Sequence, residues 1–230
     1  MTLIVILVFL MLITLFAVSL LNRMQQRQRQ RRLEQRRLRI RVEDLNELVG
    51  CLEHTLPNRA ITKHINDMII ALLDQMLALE DKHPEHLEAA ILKSEHYSEE
   101  LLNPKNRQNI SYQQDSDAQI AKTQLHLNEA MHLIMQLAAQ GTINEVELDA
   151  YQTELRWAYL MVSVMSYIAQ GDKSIAISDR LAFYRKAQQL LMESMHQDPR
   201  RLQMIKELSE MIDGERVGLS RDLRETAPAI

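Results

Sequence analysis

From Leu3 to Leu21 the chain reads as one apolar run of nineteen residues, broken only by Thr14 and Ser19. At about 1.5 Å of rise per residue a helix of that length spans roughly 28 Å, the thickness of a bilayer's hydrocarbon core. A cleavable signal peptide is the competing reading, because Ala17-Val18-Ser19 offers small residues at cleavage-like spacing. No Lys or Arg precedes the run, however, and the positive charge lies behind it. The pattern therefore predicts a retained anchor over residues 1–22.

The period then changes. From Leu38 the apolar positions are Leu38, Val42, Leu45, Val49, Leu52 and Leu56, a 4-3-4-3-4 spacing that is the seam of a coiled coil over about two and a half heptads. Between Asn22 and Leu56 there is no Pro and only Gly50 as a weak breaker, so the helix is expected to run on from the membrane face. Its seam can pair with a second copy, making a homodimeric stalk, or with the chain's own domain.

Pro57 ends that helix and Asn58 caps the next, where Ile61, Ile65, Met68, Ile69, Leu72, Leu73, Met76 and Leu77 form one apolar face to about residue 82. Pro84 opens a third helix over 84–102. Residues 103–117 (NPKNRQNISYQQDSD) are polar and turn-forming and read as a linker. Ser116 or Asp117 caps a helix running to Gln140, Gly141 stops it, and Asn144 caps a helix over about 145–170. In that helix Trp157 to Ala169 is apolar all round, too short to cross a bilayer and expected at the centre of a bundle. Gly171-Asp172 reads as a turn, Ser178 as the cap of a helix to about Gln197, and Asp198-Pro199 as the opening of a last helix to about Asp213.

The fold class is therefore all-α. A single N-terminal transmembrane helix (1–22) is expected, then a basic, coiled-coil-like juxtamembrane helix (23–56), a helical hairpin (57–102), a linker (103–117), a helical bundle (118–213) and a disordered tail (214–230). Composition agrees: the 230 residues hold five Gly, five Pro and thirteen Met, with 46% hydrophobic but 4% aromatic residues, which suits antiparallel helical hairpins packed by Leu, Ile, Met and Ala.

Charge sets the orientation. Arg23, Arg27, Arg29, Arg31, Arg32, Arg36, Arg37, Arg39 and Arg41 follow the anchor with Glu34 as the only acid among them. Basic residues on one flank hold that flank in the cytoplasm, so the expected topology is single-pass in an inner or plasma membrane, N-terminus out and C-terminal domain cytoplasmic. The same arginines are candidates for binding anionic lipid headgroups. Nucleic acid fits less well, because no Phe, Tyr or Trp lies between Arg23 and Leu56 to stack on bases. Of 27 basic and 31 acidic residues this segment takes nine and one; the remaining 18 and 30 leave the body at −12, which repels phosphate and anionic membrane alike.

Catalytic chemistry finds no foothold. The one cysteine, Cys51, excludes an internal disulfide and reads as a packed thiol. Glu-x-x-His recurs at Glu80/His83, Glu129/His132 and Glu193/His196, the element of di-iron bundles, but all three pairs fall off the apolar stripes or at a helix end. His83-x-x-His86 with Glu80, Asp81 and Glu85 reads as a charged turn. No phosphate loop, nucleophile elbow or zinc-protease motif occurs, and no catalytic residue, cofactor or metal is expected. The run Ala187-x3-Leu191-x2-Ser194-x4-Pro199 resembles the second helix of a tetratricopeptide repeat, which would imply helical hairpins and a peptide groove; it covers thirteen residues, and no 34-residue period recurs. The function expected is a membrane-anchored, cytoplasm-facing helical interaction protein that recruits or organises a protein partner. The alternatives are a metal-binding helical-bundle enzyme and a membrane tether for nucleic acid or anionic lipid.

Overall fold

The computed structural model describes residues 2–80, 84–103 and 110–224, with backbone alone for 2–18, 20, 21, 24, 27 and 224. Every regular element among them is helical: α1 (Thr2–Thr55), α2 (Arg59–Leu79), α3 (Glu85–Leu101), α4 (Asp117–Ala139), α5 (Glu145–Lys173), α6 (Ile177–Glu193), α7 (Pro199–Ile212) and the single turn α8 (Arg221–Arg224). Among the described residues no helix is long and apolar enough to cross a membrane. The run from Leu3 to Leu21 lies, apart from an exposed Ser19, on residues whose side chains are outside those described.

The caps follow local chemistry. The side chains of Asn58, Ser116, Asn144 and Asp198 each accept a backbone N–H at the start of α2, α4, α5 and α7, and Asn144 with Glu147 completes a capping box. Gly141 and Gly214, at φ 78° and 80°, take the left-handed conformation that closes α4 and α7.

α1–α2, α2–α3, α4–α5, α5–α6 and α6–α7 pack antiparallel, with α4 on α1 and α2 and not on α3, and side-chain hydrogen bonds give the register. Gln35 Nε2 donates to the Leu79 carbonyl at 3.3 Å, levelling mid-α1 with the end of α2. Asn66 Nδ2 donates to the Ser94 carbonyl at 2.7 Å, tying α2 to α3. Gln124 reaches Ser163 at 2.7 Å across α4 and α5, and Gln188 reaches Ser209 at 2.7 Å across α6 and α7. One hydrophobic core runs through all of them, from Leu45 on α1 to Leu223 on α8. In α5 Met161 to Ile168 is buried without interruption, as an all-round apolar helix must be.

The seam of α1 is packed inside its own chain. Leu45, Val49, Leu52 and Leu56 are buried, Leu38 and Val42 lie against the same core, and Leu48, off the heptad pattern, is also buried. Two partners explain this: α2 covers the seam, while α4 crosses the adjoining flank through Arg41–Glu129 (2.7 Å) and a Lys122–Glu47 ion pair. Within the chain the seam packs on its own domain.

Four expectations are corrected. Residues 110–115 are a strap and not a free linker: Tyr112 is buried, Ser111 N–H donates to the His54 carbonyl, and Gln114 N–H donates to Ser166 Oγ. Gly171 lies inside α5 and not in a turn, and it is a glycine at a place where a Cβ would come within 2.6 Å of the Tyr184 ring; α6 starts after Ala176 without a side-chain cap from Ser178. Beyond Gly214 the chain is ordered as far as it is described: Leu219 and Leu223 are buried, and Glu207 Oε2 accepts the Ser220 N–H at 2.7 Å. The polar spacing had hidden two leucines that reach the α7 flank only through an irregular turn.

Candidate functional site

The arginine segment, residues 23–41, lies within α1. Arg23, Arg29, Arg32, Arg36, Arg37 and Arg39 are exposed; Arg31 is exposed and has a partner of its own, and the side chain of Arg27 is outside those described. Arg41 is half-buried and spent on Glu129. At 3.6 residues per turn these positions surround the helix and form no stripe, so the segment is a charged rod. Gln35 ties this end of the segment to the α2 end, donating to the Leu79 carbonyl at 3.3 Å and to Glu80 at 3.2 Å.

The opposite end of the body gathers a denser polar cluster. The α1–α2 corner, the 110–115 strap, the start of α5 and the α6–α7 corner meet there. Glu154 on α5 accepts the Asn58 N–H at 2.9 Å; burial raises its carboxyl above the ordinary range, and the Asn58 donors only partly offset this. Trp157 is buried with the His196 ring centred 5.0 Å away and the Arg200 guanidinium 5.0 Å over its face. Asp198 caps α7 and holds Arg200 through both oxygens, at 2.9 and 2.5 Å, and that pairing keeps its carboxyl below the usual range. Burial raises the Tyr112 hydroxyl beside them.

An open groove of about 640 Å³ runs along this corner, lined by Thr153, Arg156 and residues 194–198. His196 accepts the Asp198 N–H on Nδ1 (3.2 Å) and faces the Thr153 carbonyl with Nε2 (3.1 Å), so both ring nitrogens are occupied by structure. Both Asp198 oxygens are on Arg200. With His196 and Asp198 held in these contacts, the exposed wall of the groove presents Arg156 and Met195. Sequence reasoning read His196 only as part of Glu193/His196. The useful signal was Trp157, whose large ring had to be covered by something at the α6–α7 turn.

The three Glu-x-x-His pairs are dispersed. Glu80 accepts from Gln35, Glu129 from Arg41 and Glu193 from Gln189. His132 is exposed, and His83 lies outside the described residues. Glu129 is thus no bare surface carboxylate as its spacing implied, but half of an interhelical ion pair. Among the described residues no three His, Cys, Asp or Glu come together as a metal could require. Cys51 is half-buried between Thr55 and Thr123, and burial raises its thiol, a packed group and not an activated one.

Ala187 and Leu191 of the run 187–199 are buried where α6 meets its neighbours. No family model, no curated protein and no solved structure matches this chain.

Proposed function

We propose that the chain is a single-pass membrane protein, N-terminus out, whose cytoplasmic helical body recruits or organises a protein partner at an inner or plasma membrane. One observation carries this reading: α1 is a single helix from Thr2 to Thr55 that joins the nineteen-residue apolar run to the body's core through an exposed arginine rod. An anchor continuous with a core helix fixes the body's height and direction, which a flexible tether would not do. Lipid headgroups are the natural partners of the arginines nearest the run, each contributing on the order of 1 kcal/mol.

The test is photo-crosslinking from exposed body positions in intact membranes, followed by detergent extraction. A discrete protein adduct, to a partner or to a second copy, supports recruitment. Recovery of the chain uncrosslinked at every position removes the proposal.

A further inference from the structure

The outer face of α1 carries more than a topology signal. Leu33 and Ile40 are 62% and 49% exposed, and seven residues of separation puts them about 20° apart on the helix. Val42, packed on the core, is nine residues from Leu33 and so about 180° away. Around the Leu33–Ile40 pair lie Arg29, Arg36 and Arg37, with Arg39 on the flank, all exposed. Arg36, Arg37 and Arg39 form no ion pair among the described residues. An apolar pair framed by guanidiniums is thus aimed directly away from the seam that α2 covers.

Lipid does not account for the distal arginines. If the apolar run ends at Leu21, rise alone puts Arg36 to Arg39 roughly 22 to 27 Å beyond the hydrocarbon edge. Headgroups extend about 6 Å past that edge and screening removes the surface potential within about a further 8 Å. A 40° tilt still leaves them about 17 Å out.

A second copy in the same bilayer fits poorly. The most complementary face of this chain is α3, where Leu92 is exposed among Glu85, Glu88, Glu95 and Glu99. Gln35 is level with Leu79, and Asn66 with Ser94 to Ser98, so α3 lies level with α1 from about residue 37 onward, above Arg29 and Leu33. Two co-anchored chains would therefore meet these two faces out of step.

We propose that the outer face of α1, Arg29–Leu33–Arg36–Arg37–Ile40, is a docking surface for an acidic amphipathic helix of another protein held close to the membrane. Such a helix would place apolar residues seven apart on Leu33 and Ile40 and carboxylates on the flanking guanidiniums. This rests on the anchored reading above.

The test uses the full chain in vesicles containing anionic lipid. The probe is a fluorescent Glu-rich helical peptide with Leu at i and i+7, and its Lys-for-Glu version is the control. R36Q/R37Q/R39Q and L33N/I40N should each weaken anisotropy-detected peptide binding at least tenfold while vesicle flotation is unchanged. R23Q/R27Q, the arginines nearest the apolar run and off the docking face, should instead reduce the preference for anionic over neutral vesicles while peptide binding is kept. Peptide binding that is indifferent to the distal substitutions overturns the proposal. So does tighter capture of a single-stranded oligonucleotide than of the peptide, or a distal variant that loses anionic-lipid preference as much as the proximal one. If the wild-type chain fails to float with any vesicle, the anchoring reading itself has failed, which is a distinct result.

Discussion

Leu48 on α1 is fully buried although it sits off the heptad seam, and its truncation measures whether α1 belongs to the body. Leu48→Ala removes a core side chain at a helix interface whose partners, α2 and α4, are pinned by their own hydrogen bonds and ion pairs, so collapse around the cavity is restricted. The expected loss is about 3 to 5 kcal/mol. Against a domain stability of roughly 5 to 15 kcal/mol this is a large fraction. At about 2 kcal/mol per molar of urea it lowers the unfolding midpoint by roughly 1.5 to 2.5 M. Trp157 is the chain's one tryptophan and is buried in α5, so its fluorescence in micelles reads the transition away from the substituted helix. Leu33→Ala, at an exposed position of the same helix, should stay within about 0.5 kcal/mol. The reasoning fails if Leu48→Ala unfolds with the Leu33→Ala midpoint. It fails equally if the loss varies with protein concentration, because the seam would then be shared between chains.

Other outcomes follow from particular contacts. Gly171→Ala places a Cβ 2.6 Å from Tyr184 Cε1 and should destabilise by about 1 to 3 kcal/mol in thermal melts, whereas Gly50→Ala, with open space around it, should stabilise by up to about 1 kcal/mol. The Arg41–Glu129 pair is one-third exposed on both sides, so a double-mutant cycle should give a coupling of about 0.2 to 1 kcal/mol that fades in high salt; a salt-independent value would mean the pair is more buried than it is seen. The folded-state pKa of Glu154 is raised by burial, so its contribution is fully present below the ordinary carboxyl value near 4.5 and is lost as pH rises through the raised value. Glu154→Gln should flatten stability against pH in that window, and unchanged slopes would refute the assignment.

Much of the fold could be read from residue types because its signals are local. Asn58, Ser116, Asn144 and Asp198 are caps with their own acceptors, and Gly141 closes a helix by its own backbone freedom. What escaped the reading depends on distant residues. Gly171 reads as a turn until the Tyr184 ring from α6 occupies the space its side chain would fill. Tyr112, Leu219 and Leu223 have no periodic neighbours, and only tertiary covering makes them core. The arginine rod was fully legible as charge, but the division between Arg41, spent on Glu129, and the exposed Arg36, Arg37 and Arg39 required knowing where α4 crosses α1.

The central claim is that α1 passes through a membrane and delivers the body to the cytoplasmic side. Two single cysteines placed in a Cys51→Ser background test it, at Thr2 and at Val217, which is 99% exposed on the body. With a membrane-impermeant maleimide, Thr2→Cys should be labelled only from outside intact cells and Val217→Cys only in inverted vesicles. Labelling of both from the same face, or release of the chain by alkaline carbonate, contradicts the account.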